Sequence, residues 1–158
     1  MGTATYLVAL GSNRPSRFGA PERTVRAALG AVGGVLAVSP VIATPAIGPS
    51  SRRFANAVAL VASDDAPPAM LARLKGIERD FGRRAGRRWG ARVIDLDLIG
   101  WSGGSWAGPG LVIPHRAFRQ RRFVLAPLAR VAPGWRDPVT GRTARQLLAA
   151  VDRRRPRS

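Results

Sequence analysis

Cysteine is absent from this chain, and lysine, histidine and tyrosine each occur once in 158 residues. Without cysteine there is no disulfide framework and no thiolate metal site. No apolar run approaches the roughly 20 residues that span a bilayer. The opening residues Met1 to Thr5 lack the basic and apolar regions of a signal peptide. A cytoplasmic protein with no membrane partner is therefore expected. Acid is scarce as well: nine Asp and Glu face 26 basic residues, a net charge of +17. Lys75 is the sole lysine, so this charge is arginine. It suits an anionic partner such as a nucleotide, a polyphosphate, a nucleic acid or a membrane surface. A coding bias toward Arg, Ala and Gly would produce the same total, so the positions of the arginines say more than their number. Neither a Walker A lysine motif nor a kinase glycine-rich loop is present.

What remains is a globular composition, 46% hydrophobic, of a length that suits one domain with a full core. Tyr6 to Leu10 is a short apolar run closed by Gly11-Ser12-Asn13, which predicts a buried strand and a turn. Pro21-Glu22 opens a segment with Val25, Leu29 and Val32 at helical spacing, ended by Gly33-Gly34. Val35 to Thr44 is expected to be one strand, stopped by Pro45. Phe54 to Val61 is a strand in which Phe54, Asn56, Val58 and Leu60 share a face. Asp64, Asp65 and two prolines then introduce a helix whose apolar face is Met70, Leu74, Ile77 and Phe81. Val93 to Trp101 carries the strongest strand signal, residues 102–110 read as a Gly/Ser/Pro loop, and Leu111 to Ile113 as a short strand. Thr143 and Gln146 are spaced as a capping box before Leu147 and Leu148. Residues 1–152 form the expected domain and 153–158 a basic, disordered tail. The order β-α-β-β-α-β with a mixed remainder predicts an α+β, ferredoxin-like sandwich with a central, mostly antiparallel sheet. Helices would cover one sheet face, and the other must be covered or functional.

The stretch Val93 to Ile99 carries chemistry. Asp95 and Asp97 point to one face of a strand, and Ile94, Leu96 and Leu98 to the other. Paired carboxylates repel each other, and burial raises that cost. Strand interiors deplete Asp, so the pair needs a neutralising partner. Mg²⁺ is the natural one, since it combines one or two carboxylates with substrate phosphates. Arginines such as Arg92 are the alternative. Arg83, Arg84, Arg87, Arg88 and Arg92 flank the strand in a loop with glycines at 82, 86 and 90, which suits either a phosphate-binding lid or a solvated basic loop. His115 follows Pro114 at a strand end, and Arg116, Arg119, Arg121 and Arg122 after it favour phosphate contact. Phe54 and Phe123 suit the core, or stacking on a flat heterocycle whose edge Asn56 would read.

Arg88 to Arg92 (RWGAR) running into Asp95 to Leu98 (DLDL) resembles the signature of the 6-hydroxymethyl-7,8-dihydropterin pyrophosphokinase family. Ala9 to Asn13, Thr44-Pro45, Gly48-Pro49, Phe54 to Val58, Ile77-Glu78, Gly82-Arg83, Pro114-His115 and Arg121 to Leu128 resemble further segments of it, in order, from Thr5 to Leu148. The resemblance implies transfer of the pyrophosphoryl group of ATP to the hydroxymethyl oxygen of the pterin, leaving AMP, in folate biosynthesis. It implies two Mg²⁺ ions on Asp95 and Asp97. It implies ATP contacts from Arg83, Arg88, Trp89, Arg92, His115 and Arg121, with Arg83 and Arg92 counted as catalytic beside the two aspartates. It implies a pterin held between Phe54 and Phe123, with Thr44, Pro45, Ile47 and Asn56 at its edge and Trp89 closing the lid. With no obvious general base among Glu or His, activation of the hydroxyl falls to the ions, aided by Asp97. A monomer with no specific nucleic-acid partner is expected.

The sequence departs from the family pattern in places. Ala91 stands where proline is usual, Phe54 where tyrosine is common, and Ala85 where a second arginine is expected in a lid one residue short. Arg130-Val131 replaces an acidic-apolar pair. Two rival readings are an RNA-binding ferredoxin-like domain and a purely structural domain. The first needs aromatics on an exposed strand, whereas aromatics make up only 6% here. The second leaves the aspartate pair unexplained.

Overall fold

The computed structural model describes residues 2–44, 54–82 and 93–154. The central strand, β1 (Ala4–Ser12), pairs antiparallel on one side with β4 (Phe54–Ser63), in unbroken register from Ala4 opposite Ser63 to Ser12 opposite Ala55. On its other side it pairs antiparallel with β5 (Asp95–Trp101). β2 (Val35–Val38) and β3 (Ile42–Thr44) lie along the free edge of β4, giving the order β2-β4-β1-β5. Helix α1 (Pro21–Val32) joins β1 to β2, and α2 (Pro67–Gly82) joins β4 to β5. This is the α+β ferredoxin-like arrangement expected.

Several elements depart from expectation, β5 among them, which begins at Asp95 and not at Val93. The predicted strand Val35 to Thr44 is two strands, because Pro40 cannot donate to the ladder. Ser39 bridges the break: its N–H donates to the Val58 carbonyl at 2.9 Å, and its hydroxyl accepts the Val58 N–H at 3.0 Å. Within the expected loop 102–110 lies β6 (Trp106–Gly108), which pairs with β7 (Leu111–Ile113). Trp106 packs edge-on against Trp101 with ring centroids 6.0 Å apart, a tertiary contact that local composition does not announce. The mixed remainder contains a helix, α3 (Arg122–Val131), before α4 (Ala144–Arg154). α4 includes Arg153 and Arg154, two residues past the expected boundary. The capping box forms in both directions, with Gln146 Oε1 accepting the Thr143 N–H at 2.9 Å and Thr143 Oγ1 accepting the Gln146 N–H at 3.1 Å.

Each sheet face carries its own core. Val25, Ala28 and Val32 of α1 and Met70, Leu74, Ile77 and Phe81 of α2 cover Tyr6, Val8, Leu10, Ala57, Val61, Leu96 and Leu98. On the opposite face Leu125 and Leu128 of α3 and Leu147 of α4 cover Leu7, Val58 and Ile99, with Phe118 beside them. A fully buried side chain of this size contributes roughly 1.5–3 kcal/mol. Gly100 admits the Trp135 ring, since a Cβ there would lie 2.8 Å from it. Among the described residues no helix is long and apolar enough to cross a membrane.

Candidate functional site

The α3/α4 layer stops short of one end of the sheet. In β1, the side chains facing that layer shrink from Leu7 to Ala9 to Gly11, and the strand then ends at Ser12-Asn13. The register places Ala9 between Val58 and Asp97, and Gly11 between Asn56 and Asp95. Small residues in the middle strand, with Asn56 on one side and the two aspartates on the other, leave a cavity of about 590 Å³. Asp95 and Asp97 form one wall, Phe54 and Asn56 another, and Arg121, Phe123 and Val124 the roof; His115 also lines it.

The two aspartates share a face, as the strand period requires, but neither is enclosed: Asp95 is exposed and Asp97 half-buried. The pair therefore faces an open cavity instead of lying in the core. Ser12 fixes the approach to β5, its hydroxyl donating to the Val93 carbonyl at 2.7 Å.

His115 follows a cis Ile113–Pro114 bond, and its own N–H reaches the Ile99 carbonyl at 3.2 Å. Its Nδ1 accepts the Ala117 N–H at 3.1 Å. An accepting Nδ1 places the proton of the neutral ring on Nε2. Burial lowers the His115 pKa; Asp97 opposes this and Arg121 adds to it. The neutral ring, a donor through Nε2, is therefore favoured at neutral pH. Of the arginines after His115, two are engaged elsewhere. Arg119 makes a bidentate pair with buried Asp137, at 2.6 and 2.8 Å, and Arg122 bonds Asp152 at 2.7 Å. Arg121 lines the cavity, with its guanidinium 5.7 Å from the Phe123 ring centre.

Phe54 is 45% exposed and Phe123 51% exposed, so neither belongs to the core; both line the cavity. The backbone of Thr44 pairs with Phe54, at the same end of the sheet. Pro45, Ile47, Arg83, Arg88, Trp89 and Arg92 lie outside the described residues. The structure thus brings together Asp95, Asp97, His115, Arg121, Phe54, Asn56 and Phe123.

Sequence reasoning missed a second cavity of about 540 Å³ that shares Asp97 and His115 with the first. Leu71 and Lys75 of α2, Leu111 and Val112 of β7, and Arg116 line it. Lys75 also pairs with Glu78 at 3.1 Å. The sequence marks Arg116 as a candidate phosphate contact and Leu111 to Ile113 as a strand, but β6, which pairs with β7 to build the wall, lies in a stretch that reads as loop. The available signal was the solitary lysine on the α2 turn beside its buried face.

Residues 7–133 match the family described as 7,8-dihydro-6-hydroxymethylpterin-pyrophosphokinase (HPPK). The chain is 39% identical over 149 residues to the 2-amino-4-hydroxy-6-hydroxymethyldihydropteridine pyrophosphokinase of Pseudomonas aeruginosa, covering 90% of this chain and 89% of that protein. It is 40% identical over 107 residues to the protein of the same name from Synechocystis, covering 68% of this chain but 55% of that relative, about half its length. In fold it is similar to wild-type HPPK-DHPS of Plasmodium falciparum, with a TM-score of 0.70 at 13% identity, over 94% of this chain and 45% of that one. With most of its length matching the family and a relative paralleled almost end to end, the chain belongs to the 7,8-dihydro-6-hydroxymethylpterin-pyrophosphokinase family.

Proposed function

We propose that the protein transfers the pyrophosphoryl group of ATP to the hydroxymethyl oxygen of 6-hydroxymethyl-7,8-dihydropterin, giving the pterin diphosphate and AMP. The observation that carries this reading is the pair of cavities meeting at Asp97 and His115. The first has exposed aromatic faces and two carboxamides, Asn13 and Asn56, which suits a flat polar heterocycle. The second has Lys75 and Arg116 beside apolar walls, which suits a nucleotide. A group transferred from one to the other would pass the aspartates, His115 and Arg121.

The donor set fits Mg²⁺. Among the described residues no three His, Cys, Asp or Glu side chains cluster to hold a metal, and the carboxylates lining the first cavity are Asp95 and Asp97. Mg²⁺ is typically held by one or two carboxylates, with substrate phosphates completing its shell. Asp95 and Asp97 would hold two ions, which when bound neutralise phosphate charge and polarise the acceptor oxygen. The rest falls to this chain's own side chains. Arg121 offers a fixed positive charge to phosphate oxygens. His115 offers a neutral Nε2–H donor whose orientation the Ala117 N–H sets. Phe54, Phe123 and Asn56 orient the acceptor, and such transfers depend mainly on positioning and electrostatics.

Incubation with ATP, Mg²⁺ and 6-hydroxymethyl-7,8-dihydropterin should release AMP in step with pterin diphosphate. Release of ADP, or no pterin-dependent AMP, would overturn the reading.

A further inference from the structure

Gly11 sits in the middle strand of the site, opposite Asn56 on one side and Asp95 on the other. Its φ is not positive, so the backbone there does not require glycine. The space above it does. A Cβ at residue 11 would lie 2.9 Å from the Asn56 side-chain oxygen, with its next neighbour, the Ala55 carbonyl, at an ordinary 4.0 Å. The obstructed atom is the free end of a flexible side chain, so a methyl group here moves Asn56 and disturbs nothing else. Asn56 is half-buried and lines the cavity between Phe54 and the sheet floor.

We propose that Gly11 is a positioning residue: its missing side chain keeps open the volume in which the Asn56 carboxamide lies, and so aims that amide at the edge of a flat heterocyclic ligand. This rests on the pterin reading of the cavity. An alanine at 11 would swing the carboxamide away from the ligand edge while leaving the ladder and both cores intact. Alanine also restricts the unfolded chain more than glycine does, so folding stability should hold or rise slightly while ligand recognition falls.

Calorimetric titration of 6-hydroxymethyl-7,8-dihydropterin into the wild type, Gly11→Ala, Asn56→Ala and the double variant tests this, with thermal melts alongside. Gly11→Ala should weaken pterin binding roughly tenfold, the scale of a lost hydrogen bond or two. It should leave ATP affinity within about twofold and should not lower the melting temperature. In the Asn56→Ala background the same change should have little further effect, because the group it displaces is gone. Unchanged pterin affinity in Gly11→Ala, or full additivity in the double variant, would overturn the proposal. If the wild type itself fails to bind the pterin, the functional reading falls, and a crystal structure of Gly11→Ala decides the geometric proposal. A rotated Asn56 side chain supports it, and an unmoved one overturns it.

Discussion

Two ends of one sheet face are made by the same three strands. At one end Leu7, Leu60 and Ile99 lie under α3 and α4, packed with Leu125, Leu128 and Phe118. Two to four residues further along, the same face carries Ala9 and Gly11 in the middle, Asn56 beside them, and Asp97 and Asp95 across the strand. The β1–β4 pairing is antiparallel and continuous through both ends, and the β1–β5 pairing shifts register once, between Leu7 and Val8. What changes is side-chain size in β1 and polarity in its neighbours. Closing the apolar end removes surface from water and stabilises the fold. The small and charged residues at the other end cannot support such a layer, and a cavity remains. Core and site are thus one surface with the side chains exchanged.

The difference is broken most sharply by one substitution at each end. Asp97→Ala should lower AMP formation by a hundredfold or more, the scale of losing a preorganised electrostatic group, with no loss of melting temperature because the carboxylate is half solvent-exposed. Phe118→Ala should do the converse. Its ring is fully buried, in edge contact with Trp135 at 5.8 Å, and truncation should cost about 3–5 kcal/mol of stability. Parallel turnover assays and urea titrations check both. Near-normal turnover in Asp97→Ala, or a heavily destabilised fold, would remove the distinction.

Much of this division is legible in the sequence. The alternation Phe54, Asn56, Val58, Leu60 announces a face whose polarity changes along β4, and Asp95 and Asp97 announce the same change on β5. The apolar spacing of α2 and the Thr143/Gln146 cap need only local chemistry, and both form as expected. The closing layer is harder to read. Val124, Leu125 and Leu128 have helical spacing, but Pro127 interrupts the signal, and α3 is held by the sheet beneath it and by α4 beside it. The β6–β7 hairpin depends on Trp101 meeting Trp106, and the second cavity depends on that hairpin. Asp137 shows the limit most plainly. It stands between Gly134 and Pro138 with no local apolar pattern around it, and it is fully buried, because Arg119, eighteen residues earlier, comes to meet it.

That buried pair gives the apolar end a pH dependence. Burial alone would raise the Asp137 carboxyl, but hydrogen bonds from Arg119, Thr140 and the Val139 N–H outweigh it and hold the pKa at about 2, below its ordinary 3.8. A depressed folded-state pKa contributes stability above the unfolded value, and that contribution is lost as pH falls through the folded one. The window is therefore pH 3.8 down to about 2, and the amount is about 2 kcal/mol. Urea unfolding across that window should show a steeper decline for the wild type than for Asp137→Asn, which has no carboxylate to protonate. Parallel profiles would mean the pair does not titrate with folding.

The smallest expected effect sharpens the boundary itself. Phe123 is at the start of α3, one residue before Val124; both line the cavity, but of the two Val124 alone also belongs to the core. Val124 is 3% exposed and packs with the apolar layer, whereas Phe123 is 51% exposed over the cavity. A ring left half in water gives little to folding, so Phe123→Ala should hold its melting temperature within a degree or two. If the ring stacks on the pterin, its loss should weaken pterin binding by roughly tenfold, near the lower end of base–aromatic stacking measured by truncation. ATP binding should change less, because Phe123 does not line the second cavity. Phe123→Leu separates stacking from mere bulk: it restores apolar volume without a π face, so it should recover only part of the loss. Full recovery with leucine would show that the cavity asks for apolar contact rather than an aromatic face. Intact pterin affinity in a well-folded Phe123→Ala variant would move the heterocycle off this helix altogether.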